Sequence, residues 1–441
     1  MTKDNLINVV KKEKISFISL QFITIGGEIK NVITPSRDLG EVLDKGCSFD
    51  GSSAGFVPVD KSDLILLPDP NSFCILPWGE EENRTARLIC DVAGNDNKEL
   101  DTDPRFTLKR VIKEMQDEFG HSWNFSLAPE LEFYLLIKKG EKDYEPSDQA
   151  GYFSIPPKDL GDEFRKKLSR ILDSLGIISQ KNHHEVPKGK HEINFHYGNA
   201  LEVADNTITY KQVVKYYASK EGLIATFMPK PFFGTYGTGM HIHLNLVDSS
   251  KGENLFYSKE EKYNLSEIGR HFLAGLLHHA KALAGITNPS VNSYKRLVPG
   301  WEAPVYISWG LFNRSALLRI PATSPENRRV EIRSPDASSN PYLAFAAILV
   351  AGLDGIRQKL ELPPPINENI YAMSPEKKAK KGIKSLPGNL KEALESLEKD
   401  DVIIKSLGEE LINKFLSLKW KEWEEFSVRV HPWELEKYLD V

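Results

Sequence analysis

Glu130-Leu131-Glu132, inside the stretch Ala-Pro-Glu-Leu-Glu-Phe-Tyr-Leu-Leu, puts charge where its neighbours ask for burial. The run from Phe133 to Ile137 is aromatic and aliphatic and reads as a buried strand. Residues two apart in a strand face the same way, so Glu130 and Glu132 stand about 6–7 Å apart on one face. Two like charges do not sit there unaided. Taken alone, the pair is as readily a solvated strand end. A divalent cation would also remove the repulsion, and hard cations select carboxylate oxygens.

Further candidates lie downstream. In His183-His184-Glu185-Val186-Pro187-Lys188-Gly189-Lys190-His191-Glu192, the proline and glycine mark a turn across which Glu185 and Glu192 either converge or stay solvated. His241 and His243 share one face of a strand whose other face is apolar, a pattern that serves a structural histidine or a ligand. Arg328-Arg329-Val330-Glu331-Ile332-Arg333 alternates, so Arg329, Glu331 and Arg333 share a face as an ion pair or as a ligand beside anion-binding groups. Together, five glutamates and a histidine suffice for two divalent ions. Arg296, Arg314, Arg319, Arg329 and Arg333 would bind phosphates and a carboxylate. Oxygen-rich ligation points to magnesium or manganese. No phosphate-cradling Gly-x-x-x-x-Gly-Lys-Ser/Thr loop or paired-glycine dinucleotide fingerprint is present, so a nucleotide would be held mainly by metals and arginines.

With 441 residues, two domains are expected. Strand-forming runs at 15–25, 29–34, 63–67, 73–76 and 85–92 make the first hundred residues a small β-rich domain. Polar Gly94-Asn95-Asp96-Asn97-Lys98 closes it, and Asp103 caps a helix opened by Pro104, which sets a boundary near residue 103. Residues 104–441 mix helices (162–174, 208–222, 265–285, 341–360) with charged strands, an α+β pattern, and end in a charged helical segment over 388–437. Basic residues number 57 against 62 acidic and are dispersed, so no nucleic-acid-binding surface is indicated. Three cysteines without metal-ligand spacing, no signal-type apolar core at the N-terminus and no bilayer-length apolar run give an expectation of a cytoplasmic protein, not a membrane one.

The chain resembles type I glutamine synthetase over essentially its whole length. The carriers are Asp-Gly-Ser-Ser (50–53), Pro-Glu-Leu-Glu-Phe (129–133), His-His-Glu (183–185), Lys-His-Glu-Ile (190–193), Gly-Met-His-Ile-His (239–243), the stretch from Asn288 to Pro304, Asn-Arg-Ser (313–315) and Val-Glu-Ile-Arg-Ser-Pro-Asp (330–336). The tail is similar to the shorter branch, which lacks the insertion associated with adenylylation. The resemblance implies a β-grasp-like domain over 1–103 and a catalytic α+β domain over 104–441. It implies one Mg2+ or Mn2+ on Glu132, Glu185 and Glu192, and another on Glu130, His241 and Glu331.

By the same resemblance, the γ-carboxylate of glutamate attacks ATP with Arg314 and Arg333 offsetting charge, and Arg296 and Gly237 bind substrate. Tyr197, His243, Arg319 and Arg329 face the nucleotide. Asp50, reaching a neighbouring subunit, deprotonates ammonium, and Glu302 closes a flap and takes the next proton. A homododecamer of two hexameric rings with sites between subunits follows. Two departures stand out. The loop usually reading Asn-Gly-Ser-Gly is Tyr236-Gly237-Thr238-Gly239, and the Asp50 loop is one residue shorter, with Pro58 near where some members carry a feedback-linked arginine. The first departure keeps open a ligase that joins glutamate to a primary amine. A non-catalytic ring-forming homologue is a third reading.

Overall fold

The computed structural model describes every residue except Lys142 and Glu302, and of Pro325 only the backbone. Helix α1 (Lys3–Lys12) is capped by Thr2 and buries Leu6 and Val10 against the first sheet. That sheet is built from β1 (Phe17–Ile23), β2 (Ile29–Pro35), β3 (Cys47–Asp50), β4 (Asp63–Pro68), β5 (Cys74–Ile75) and β6 (Thr85–Ala93), with α2 (Leu39–Lys45) between β2 and β3. β1 and β2 form the expected antiparallel hairpin, and β1 pairs in parallel with β6. Asp103 then caps α3 (Pro104–Phe119): its carboxylate accepts from the Arg105 amide, and Pro104 sits where its missing N–H costs nothing.

The second sheet contains β7 (Trp123–Lys138), β8 (Tyr144–Pro146), β9 (Ser179–His184), β10 (Lys190–Phe195), β11 (Gly198–Asn199), β12 (Ile224–Thr226), β13 (Met240–Asp248) and β14 (Glu253–Asn254). Three later strands complete it: β15 (Trp309–Leu311), β16 (Leu318–Ile320) and β17 (Val330–Ile332). Its main path runs β15-β16-β17-β13-β7-β10-β9, and β7 pairs in addition with β8, β11 and β12. Phe133, Ile193, Ile242 and Ile332 turn to one face and are buried. There Phe133 meets Tyr210 and Phe227, so the sheet packs its apolar face on helix α5 (Ala200–Lys220), with α4 (Asp162–Ser174) beside it.

Helix boundaries differ from the sequence expectation in two informative places. α5 starts at Ala200, eight residues before the expected start, because Asn199 caps it by accepting from the Glu202 amide. The helix expected over 265–285 is two, α6 (Glu267–His278) and α7 (Ala280–Thr287). His279 stands at the break, its ring held between Asp354 at 3.0 Å and Asp400 at 2.6 Å. Asp354 belongs to α8 (Pro341–Arg357), which carries the longest apolar run and is buried inside the protein from Pro341 to Gly355. Among the described residues no helix is long and apolar enough to cross a membrane.

The two sheets share one continuous core, which extends from Leu6 to Leu416 in the C-terminal helices. A buried ion cluster ties them as well. Arg105 reaches Asp69 and Asp91 of the first sheet region and Asp205 on α5, and the Tyr342 hydroxyl of α8 donates to Asp205.

Candidate active site

Strand register assembles the site. Across β7 and β10, Glu132 lies opposite Glu192 and Glu130 opposite Asn194. Across β7 and β13, Glu130 lies opposite His241; across β13 and β17, His243 lies opposite Glu331; across β17 and β16, Glu331 lies opposite Arg319. Directly opposed residues share a face, so one row of acids, imidazoles and an arginine crosses five strands while the apolar residues face the helices. The row floors a cavity of about 500 Å³.

At one end, Glu130, His241 and Glu331 bring one ligating atom each to within 4.8 Å of one another. His243 Nε2 lies 3.2 Å from Glu130, whose carboxylate also accepts from the Asn194 amide at 2.9 Å. Burial opposes the charge on Glu130, but hydrogen bonds from His241 and His243 hold its carboxyl well below the ordinary range. Glu331 sits between Arg319 and Arg333, both hydrogen-bonded to it. Burial would raise the Glu331 carboxyl, yet the Arg333 charge, helped by the imidazoles and Arg319, brings it to about 2. Burial and then Arg333 lower the His241 pKa, which favours the neutral imidazole, the form that ligates cations.

At the other end, the compact group is His183, Glu185 and Glu192, again with ligating atoms within 4.8 Å. Glu132 is close by on the same face, but its Oε2 takes the Lys190 ammonium at 2.7 Å and the Gly239 amide. The sequence expectation grouped Glu132 with Glu185 and Glu192; the three lie at this end, where Glu132 is paired with Lys190 and His183 stands beside Glu185. The Glu192 carboxyl is pushed well above the ordinary range, first by burial and then by the charges of Glu130, Glu132 and Glu185. Such a cluster of acids is short of positive charge, and oxygen-rich donors with imidazole nearby at each end fit a hard divalent cation.

Arg296 is buried and donates to the backbone carbonyls of Ser334 at 2.6 Å and Arg333 at 3.2 Å, which fixes its guanidinium at the cavity wall. Gly237, Arg314, Arg319 and Arg329 also line the cavity. Gly237 must be glycine, since a Cβ there would fall 2.2 Å from the Pro229 carbonyl oxygen. Tyr197 is outside the lining, and its ring lies 5.9 Å from the Arg329 guanidinium. Glu302 lies outside the described residues, while its neighbours Trp301 and Ala303 line the cavity. The Tyr236 and Trp301 rings meet edge to face at 5.8 Å.

Asp50 is absent from the described lining. It is exposed at the end of β3, where the hydroxyls and amides of Ser52 and Ser53 all donate to it. Those hydroxyl hydrogen bonds bring its carboxyl down to about 2. A further group, Asp148, His184 and His191, has metal-like spacing on the opposite face of the sheet. There Gly161 packs so tightly on the His191 ring that a Cβ would lie 2.3 Å from Cε1, and Arg165 contacts Nδ1 at 2.8 Å, which leaves no room for a cation beside that ring. This group braces the backbone behind Glu185 and Glu192: His184 Nδ1 contacts the Glu185 carbonyl at 2.6 Å.

His183 and Lys190 are the site residues that sequence reasoning missed. Both occur in the quoted motifs. The signal that would have placed His183 is the hairpin turn at Pro187-Lys188-Gly189, whose register sets His183 opposite Glu192.

Carboxylates, neutral imidazole and clustered arginines around one cavity define a site for divalent-cation-dependent phosphoryl transfer. Comparison with known proteins narrows that class. The family model described as glutamine synthetase, catalytic domain, matches residues 101–438, and the one described as glutamine synthetase, beta-Grasp domain, matches residues 14–95. The chain therefore belongs to the glutamine synthetase family. It is 47% identical to a glutamine synthetase of Thermotoga maritima over 443 residues, with all of both chains covered. A glutamine synthetase of Thermus thermophilus is 46% identical, with 99% of each chain covered. Among solved structures, one described as apo GmaS without ligand superposes with a TM-score of 0.88 at 31% identity, covering 99% of both chains.

Proposed function

We infer that this protein is an ATP-dependent ligase that forms glutamine from glutamate and ammonium by way of γ-glutamyl phosphate. The row of acids, imidazoles and arginine across one sheet face carries this reading, and full-length similarity to glutamine synthetases supports it. Arg296, held rigid by two backbone carbonyls, grips the α-carboxylate of glutamate beside Gly237. A γ-carboxylate oxygen attacks the terminal phosphorus of ATP, the bond to the ADP oxygen breaks, and Arg314 and Arg333 offset charge on the transferring group. Ammonia then attacks the acyl carbon and inorganic phosphate leaves. The balance is glutamate, ATP and ammonium giving glutamine, ADP, phosphate and a proton.

Glu130, His241 and Glu331 would hold one Mg2+ or Mn2+, and Glu185 and Glu192, with Glu132 and His183 beside them, a second. What a bound cation supplies there is positive charge against the phosphates and the γ-carboxylate. His243, Arg319, Arg329 and Tyr197 form the nucleotide side, where the arginine over the tyrosine ring leaves donors for phosphate. Asp50, ionised and outside its own cavity, takes the ammonium proton in a neighbouring subunit, and Glu302 closes the flap. This assigns the protein to a cytoplasmic dodecamer of two hexameric rings in nitrogen assimilation, with residue 103 dividing the β-grasp domain from the catalytic one.

Glutamate labelled with oxygen-18 in its γ-carboxylate tests the intermediate. One labelled oxygen should appear in the inorganic phosphate released per glutamine formed. Unlabelled phosphate would rule out the acyl phosphate.

A further inference from the structure

Lys190 is a buried residue of the acidic end whose charge is opposite to what a cation site needs. It opens β10 on the strand that carries Glu192, is almost wholly buried, and lines the cavity. Its Nζ lies 2.7 Å from Glu132 Oε2 and 4.0 Å from Glu185 Oε2. The Gly239 amide donates to the same Glu132 oxygen. Both contacts fall on Oε2, so Oε1 is the oxygen that Glu132 has left for a cation. Among the described residues, Arg319 and Arg333 at the other end pair with Glu331, whereas the Lys190 ammonium sits between two carboxylates of the end where Glu192 is crowded by charge.

We propose that Lys190 is a resident cation of this cavity: paired with Glu132 on one oxygen and close to Glu185, it weakens the hold of the Glu132, Glu185 and Glu192 end on a divalent ion. The proposal rests on reading the cavity as a divalent-cation site. Its sign follows from Coulomb's law, because a fixed ammonium beside the carboxylates repels an incoming dication and already offsets part of the acid charge. Removing it leaves the acids more mutually repelling without metal and more attractive to one. A lysine with a merely structural role gives the reverse, since loosening Glu132 would weaken metal binding.

The test is a titration of the metal-free full-length protein with Mn2+, free ion being followed by electron paramagnetic resonance. Wild type is compared with Lys190→Met, Lys190→Gln and Lys190→Arg. The Met and Gln variants should bind one class of Mn2+ roughly ten-fold tighter or more, while the Arg variant stays near wild type. Mn2+ should also raise the melting temperature of the two neutral variants more than that of wild type. The Gln side chain keeps a donor for Glu132, so it decides the matter if the Met variant is not recovered folded. Unchanged or weaker Mn2+ binding in the neutral variants would overturn the proposal and leave the cation site standing. A wild-type protein that takes up no Mn2+ would overturn the proposal together with the reading on which it rests.

Discussion

Glu331 makes the most demanding single contribution to the cavity. One carboxylate meets two guanidiniums and stands beside His241, so it holds the arginines in place at the proposed cation site. Glu331→Gln keeps the volume and removes the charge. Turnover of the variant should fall by about 10²–10³ or more, since donors aimed at the transferring phosphoryl group lose their anchor. Steady-state kinetics at saturating ATP checks this, and a variant within a few-fold of wild type would remove Glu331 from the mechanism. Glu130 and Glu132 were legible from sequence because a strand's period of two puts them on one face whatever the rest of the fold does. Lys190 and His183 were not legible in the same way. Their roles depend on which residues lie across the neighbouring strands, and lysine beside glutamate in sequence reads as a solvated charge.

At the scale of elements, the paired strands came through from sequence better than the helix boundaries did. β1 and β2 announce themselves through Gly26-Gly27, and the β9–β10 turn through Pro187 and Gly189, whose φ of +63° suits glycine. The break between α6 and α7 has no such signal, because it depends on a histidine caught between acids 75 and 121 residues away. That contact sets a pH dependence. Burial works to lower the His279 pKa, but hydrogen bonds to Asp400 and Asp354 outweigh it and raise the value above the ordinary one. A histidine whose folded pKa is raised stabilises the fold fully below its unfolded pKa of about 6.5, and that contribution is lost as pH rises through the folded value. The melting-temperature gap between wild type and His279→Gln should therefore be widest below about pH 6 and narrow toward alkaline pH. A gap that is flat or widens with pH would contradict the ion-pair account of this break.

The whole molecule places the proposed metal ligands on the second sheet, with Glu185 in the turn that joins β9 to β10, and Asp50 on the first, away from the described lining of its own cavity. Sequence showed that the two lie on opposite sides of residue 103 but not whether packing within one chain would bring them together. The buried Arg105 cluster and the continuous core fix the two sheets against each other, so Asp50 is not free to swing into the cavity. This supports the proposal that Asp50 serves a site shared between subunits. Asp50→Ala and Glu331→Ala proteins, each inactive, should recover part of their activity when unfolded together and reassembled, because some interfaces pair an intact Asp50 with an intact cavity. Mixed assemblies shown by mass to hold both variants, yet no more active than either parent, would return Asp50 to its own subunit.

The claim on which everything else depends is that this cavity joins ammonium to glutamate. The departure at Tyr236, which meets Trp301 beside the cavity, makes the acceptor amine the informative variable. ATP-dependent product formation should be measured with ammonium and with a panel of primary amines at matched concentrations, each product identified by mass. Glutamine should be the dominant product, with one ADP and one phosphate released for each, and kcat/KM should be far lower for every amine. A γ-glutamyl amide formed from a primary amine with higher kcat/KM than glutamine from ammonium would contradict that claim.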